Sequence, residues 1–235
     1  MPYGYYGYYF DPTYILIIIA AIISLIAQWR VNSAFSKYSR VASMSGMTGA
    51  QAARMILQSN GINDVSVQRI SGKLTDHYNP STKVLNLSES VYGSTSVAAI
   101  GVAAHECGHA IQHARGYFPL SLRTALVPVA NIGSQLSWVF IIVGAILSFN
   151  QTLIGIIMFS AAVLFQLVTL PVEFNASARA LEQLESNGIL YRDEVSQTRK
   201  VLSAAALTYV AAAATAILQL LRLIILFGGR GRRDD

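Results

Sequence analysis

His105 and His109 lie four residues apart in the stretch AAHECGHAIQH, residues 103–113, which holds three of the chain's four histidines. A helix advances about 100° per residue, so positions four apart share a face and two imidazoles can converge on one divalent ion. Glu106, beside the first imidazole, can reach a water held by that ion and take its proton. This spacing implies zinc-assisted hydrolysis, with His105 and His109 as metal ligands and Glu106 as the general base. A lone helical histidine more often satisfies a hydrogen bond. The pair at ligand spacing, with a carboxylate between, favours the metal. Cys107 sits about 200° around the helix from His105 and reads as a small buried hydrophobe with an inert thiol. His113 is a further turn away and reads as a supporting or structural residue.

The motif requires a helix, and the flanking residues supply one. Ser94, Thr95 or Ser96 can cap its start, no proline interrupts STSVAAIGVAAHECGHAIQHARG, and Gly116 can close its end. Upstream, Thr48 and Gln51 spell a capping box for the helix AQAARMILQSNG, which should stop at Gly61. DVSVQRI, KLTDHY and KVLNL read as three short strands, the last two joined by the turn NPST. The histidine helix therefore belongs to a small α+β unit spanning residues 30–118. An exposed edge of LTDHY or KVLNL could take an extended peptide as an extra strand, or the sheet could serve only to pack against the helix.

Most of the remaining chain is apolar. Of 235 residues, 53% are hydrophobic and 12% charged, against roughly 25% charged in an ordinary soluble protein. Four stretches approach the roughly 20 apolar residues that cross a bilayer: Tyr14–Trp29, Leu126–Phe149, Thr152–Leu170 and Ala204–Phe227. The second and third, parted only by Asn150 and Gln151, form a helical hairpin. Arg222, inside the fourth, must face protein or snorkel to the interface. The flank before Tyr14 has no Lys or Arg and no small-residue cleavage site precedes Arg30, so the first span reads as a retained anchor. Residues 1–13 form a Tyr-rich tail suited to the headgroup region, or a low-complexity one.

The net charge of +5 follows the membrane topology, and no nucleic-acid partner is implied. Nine Lys and Arg lie in residues 30–123 and four in residues 173–203, which places both segments in the cytoplasm. Arg230, Arg232 and Arg233 oppose that orientation, although Asp234 and Asp235 follow them. A single cysteine excludes an internal disulfide and suits a reducing compartment. The expected architecture is a mainly α membrane protein: about four transmembrane helices and a small cytoplasmic α+β unit. Its segments are a tail (1–13), helix 1 (14–29), the α+β region (30–118), a helical hairpin (119–172), a helical segment (173–203), helix 4 (204–227) and a tail (228–235).

A catalytic zinc takes three protein ligands and leaves one position open. The downstream acids are Glu173, Glu182, Glu185, Asp193, Glu194, Asp234 and Asp235. Glu173 stands out, since a carboxylate abutting a membrane helix is costly without a partner. It also emerges on the same side of the membrane as the histidine helix.

Over nearly its whole length the chain resembles the YugP-like membrane zinc-dependent neutral metallopeptidases of bacteria. The likeness lies in RVNSAFSKYS, MTGAQAARMIL, LTDHYNPSTKVLNLSESVY, AAHECGHAIQHARGY, LPVEFNASARALEQL and AAALTYVAAAATAILQLLRL. The resemblance implies Zn2+ held by His105, His109 and Glu173, with Glu106 as general base. It also implies a multi-pass protein of the bacterial plasma membrane acting on peptide or protein substrates, and a site at the bilayer surface points to membrane-associated or freshly exposed juxtamembrane ones. The wider clan often has Asp four residues after the ligand Glu; here Ser177 stands there, with Asn175 nearby, and can hydrogen-bond without adding charge. Arg179, His113 and His77 are open candidates for a second donor to the oxyanion. Two rival readings are a non-catalytic membrane scaffold or chaperone-like factor with a vestigial site, and histidines ligating haem. Glu106 favours the enzyme over both.

Overall fold

The computed structural model describes residues 11–147 and 149–227. Seven helices and three strands follow in chain order, numbered as they occur: α1 Tyr14–Tyr38, α2 Gly49–Ser59, β1 Ser66–Ile70, β2 His77–Asn79, β3 Val84–Ser88, α3 Glu89–Tyr92, α4 Val97–Ala114, α5 Phe118–Leu147, α6 Phe149–Ser186 and α7 Arg192–Phe227. Four of them, α1, α5, α6 and α7, contain stretches long and apolar enough to cross a membrane. Each of the four is longer than its apolar stretch and carries polar residues past one end. The Tyr-rich residues 1–10 and the basic tail 228–235 lie outside the described residues.

The spans are exposed where lipid would cover them. Ile22, Leu25 and Ile26 on α1 and Ile224 and Ile225 on α7 are each more than 40% exposed. α5 and α6 form the expected hairpin, with Asn150 and Gln151 in the first turn of α6. α1 and α7 run antiparallel, touching at Ser24 Oγ and Thr215 Oγ1, 3.2 Å apart. Arg222 faces protein: its guanidinium donates to Thr13 Oγ1 at 3.1 Å and to Asp11 Oδ2 at 3.3 Å, and lies over the Tyr14 ring. Its charge is thereby paired inside the bundle.

The second layer is built around α4. The capping box of α2 forms in full, Thr48 Oγ1 accepting from Gln51 N while the Gln51 side chain accepts from Thr48 N. The three strands form one sheet in the order β1-β3-β2, with β1 parallel and β2 antiparallel to β3. Only the second half of KLTDHY is extended. Leu74 has φ 56°, in the left-handed region, which ends any strand pairing there and leaves β2 three residues long at the sheet edge. Leu85 and Leu87 of β3 pack with Ile56 of α2 and Ile100 and Ile111 of α4, all fully or almost fully buried. Leu184 of α6, Ile189 of the connecting turn and Val195 of α7 complete that core.

Ser96 caps α4, its Oγ accepting from Ala99 N at 3.2 Å, and Gly116 (φ 61°) turns the chain from α4 into α5. Ser96→Ala should cost about 1 kcal/mol of stability through loss of this cap. Thermal unfolding of the detergent-solubilised protein reads that shift; an unchanged midpoint would remove the cap from the account of α4.

Candidate metal centre

Fourteen of the eighteen residues of α4 are buried, because the helix is enclosed by α2, the sheet, α6 and α7. Its approach to α6 is unusually close. A Cβ at Gly108 would lie 2.5 Å from the backbone oxygen of Ala176, so the motif residue between Cys107 and His109 must lack a side chain. Gly101, two turns earlier, similarly admits Thr198 of α7. This intimacy brings Glu173, 68 residues later in sequence than His105, up to the imidazoles.

Glu173 Oε2 lies 3.2 Å from His105 Nε2 and 3.5 Å from His109 Nε2. The two rings meet edge to face with centroids 4.8 Å apart. One ligand atom from each of the three residues lies within 4.8 Å of the others. Among the described residues this is the only such cluster of His, Cys, Asp and Glu. Glu182, Glu185, Asp193 and Glu194 stand away from it; Glu194 instead accepts from the backbone N–H groups of Met44 and Tyr191.

Both imidazoles are oriented from behind. His109 Nδ1 lies 3.0 Å from Gln112 Oε1, while Gln112 Nε2 donates to Val172 O at 2.8 Å and to Asn175 Oδ1 at 3.0 Å. The backbone carbonyl of Val172 can only accept, which fixes the Gln112 amide and makes His109 Nδ1 the protonated nitrogen. His109 Nε2 is then the nitrogen left to face Glu173, free to take a metal ion or, in the charged ring, a proton shared with that carboxylate. Arg179 Nε donates to Asn175 Oδ1 at 2.8 Å and closes the chain of bonds. His105 Nδ1 lies 3.1 Å from Ser177 Oγ, a hydroxyl that can accept from it or donate to it and so orients the ring. Ser177 and Asn175 thus orient the histidines by neutral hydrogen bonds, in place of a charged Asp.

A neutral imidazole pair with a carboxylate is a donor set that zinc takes well. Tetrahedral bonds of about 2.0–2.1 Å put ligand atoms roughly 3.3 Å apart, close to the two separations from Glu173. Burial opposes charging His109, but its hydrogen bond to Glu173 and the charges of Glu106 and Glu173 outweigh that and raise its pKa above the ordinary value. The arrangement attracts positive charge, whether proton or metal ion.

Glu106 is buried beside the centre, and its Oε2 accepts the Tyr78 backbone N–H of β2 at 3.0 Å. It lines a cavity of about 320 Å³ together with His109, Glu173, Arg123 and Tyr209. A second cleft, walled by α1 and α7, also reaches His105, Glu106 and Tyr209. Asp76, shared by both clefts, accepts from Ser88 N and Oγ; burial, reinforced by the Glu106 charge, raises its pKa.

Cys107 is fully buried with its Sγ 3.6 Å from Ala53 O, and burial pushes its thiol far above the ordinary range. His113 lies outside the cluster, paired with the Tyr78 hydroxyl at 2.9 Å. Of the three oxyanion candidates, only His77 lines the cavity, and both its ring nitrogens are engaged, with Thr75 O and Asn86 Nδ2. Sequence reasoning missed Arg123 and Tyr209. Arg123 Nη2 lies 3.9 Å from Glu173 Oε1, and its buried Nε has no hydrogen-bond partner among the described residues. As a cation next to a span end, it reads in sequence as a topology signal.

Residues 13–228 match the model of a protein family described as "Putative neutral zinc metallopeptidase". The chain belongs to this family. It is also 50% identical over 216 residues to "Putative membrane protease YugP" of Bacillus subtilis (strain 168), covering 91% of this chain and 96% of that relative. No solved structure matches it. Membership in the zinc metallopeptidase family, the four apolar helices and the clustered imidazoles and carboxylate all accord with a membrane protease.

Gly108→Ala should destabilise the protein by roughly 1–3 kcal/mol, since the clash is with backbone and not with a flexible side chain. Ala176→Gly, which leaves that backbone oxygen in place, should not rescue it. Thermal unfolding of the single and double variants distinguishes this from ordinary crowding.

Proposed function

We propose that the protein is a membrane-embedded zinc endopeptidase whose site opens on the cytoplasmic face. The observation that carries this reading is the convergence of His105, His109 and Glu173 within 4.8 Å, with Glu106 buried in the adjoining cavity. When bound, zinc supplies a Lewis acid and a water acidified to a pKa of about 7.

The chain's own residues supply the rest. Glu106, held by Tyr78 N–H, takes the proton of the attacking water and hands it to the departing amine. The Arg123 guanidinium and the Tyr209 hydroxyl are the donors with access to the same cavity, and they stabilise the carbonyl oxygen as it gains charge. Gln112, fixed by Val172 O and Asn175, keeps His109 in the metal-accepting tautomer, and Ser177 orients the His105 ring. The substrate lies extended along the free edge of β2, where Tyr78 and the flanking Asp76 and Pro80 line the cavity. Val31 and Phe35 of α1 and Leu120 and Val127 of α5 give the two clefts apolar walls. These walls suit membrane-associated or newly exposed juxtamembrane segments of proteins. The excess of Lys and Arg in residues 30–123 and 173–203 supports the cytoplasmic orientation.

Peptide cleavage and bound zinc, measured together, test the assignment. Glu106→Gln should abolish cleavage and keep zinc; Glu173→Ala should lose both. Cleavage at the wild-type rate in Glu106→Gln would end the mechanism. Arg123→Met should lower kcat by roughly 10²–10³-fold with zinc retained, the usual cost of one oxyanion donor. A variant of unchanged kcat would remove Arg123 from that role.

A further inference from the structure

Away from the metal centre, α1 and α7 part to form an open cleft of about 460 Å³ at the polar end of both spans. Arg30 and Lys37 of α1 line one wall and Arg199 and Lys200 of α7 the other. Arg30 and Lys37, seven residues apart, share one face of α1, and Arg199 and Lys200 both line the facing wall of the same cleft. None of the four forms an ion pair with a carboxylate among the described residues. Four like charges brought together without a counter-charge repel one another, and an anion placed among them relieves that repulsion.

The lining says which kind of anion. Ala34, Ala204 and Leu207 make part of the wall apolar, Ser33 and Ser203 add hydroxyl donors, and the Trp29 indole stands among them, 68% exposed. Directly above, Ile22, Leu25 and Ile26 present the lipid-facing surface of α1. A soluble phosphate would use only the charges and the hydroxyls, leaving the indole and the apolar wall unoccupied. A molecule with an anionic head continuous with hydrocarbon uses the cations, the hydroxyls, the indole and the apolar wall together. Topology alone would require these cations near a span end, not converging from two helices into one cleft.

We propose that the α1–α7 cleft binds the headgroup of an anionic phospholipid in the leaflet on the metal-centre side. The site is separate from the hydrolytic one and does not depend on it.

Trp29 is the reporter. The full-length chain carrying Trp138→Phe, which leaves Trp29 as its sole tryptophan, is reconstituted in phosphatidylcholine bilayers with a small fraction of brominated lipid. Brominated phosphatidylglycerol should quench Trp29 with an apparent affinity roughly five- to tenfold above that of brominated phosphatidylcholine. Arg199→Gln with Lys200→Gln should erase most of that preference. The charge-matched pair Arg54→Gln with Arg69→Gln, both in the α2 and β1 region, should leave it intact. Equal quenching by the two lipids in the unaltered cleft would overturn the proposal without recourse to any charge variant. Equal loss in the two charge-matched pairs would overturn it too, by reducing the effect to bulk electrostatics.

Discussion

The close approach of α4 and α6 at Gly108 is the constraint on which the centre depends. Backbone meets backbone there, with no room for a Cβ between Gly108 and the oxygen of Ala176. At ordinary helix separations of 8–10 Å, side chains would fill the gap and the Glu173 carboxylate would stand off from the imidazoles. Because the contact is made by main chain, it fixes the axial register of the two helices as well as their distance. Glu173 and Ser177 then meet His105, Glu173 also meets His109, and Asn175 meets Gln112 two turns further along α4.

The site is shared between two kinds of structure. The histidines and Glu106 come from a helix enclosed by a small α+β layer. Glu173, Arg123 and Tyr209 come from helices that continue into apolar spans. Glu106 joins the two, since it accepts an N–H from the edge strand while lining the cavity that the spans wall off. Residues on either side can therefore be disturbed through the other, and membrane thickness or composition acts on the same helices that carry a proposed ligand.

Much of this was legible in the sequence, and for identifiable reasons. The four-residue spacing of His105 and His109 carries its own geometry once a helix is granted, and the Ser96 cap and Gly116 turn grant it. The four apolar stretches depend only on local composition. Glu173 could be singled out from the other acids by its place at a span end, where an unpaired carboxylate is costly. What was not legible was partnership between single residues far apart in the chain. Nothing local marks Arg123 or Tyr209 as cavity residues, and nothing in KLTDHY announces that Leu74 takes a left-handed conformation. The orientation of His109 through Gln112 is likewise set by a carbonyl 60 residues away.

The long interval between His105 and Glu173 has a consequence for biogenesis. The histidine helix is synthesised before the hairpin of α5 and α6 that carries the carboxylate. A nascent chain thus exposes an imidazole pair with no third ligand until both legs of the hairpin are inserted and α6 has packed on Gly108. On the proposed ligand set, assembly of the bilayer portion becomes the step that brings the carboxylate to the imidazole pair, and an incompletely inserted chain lacks it.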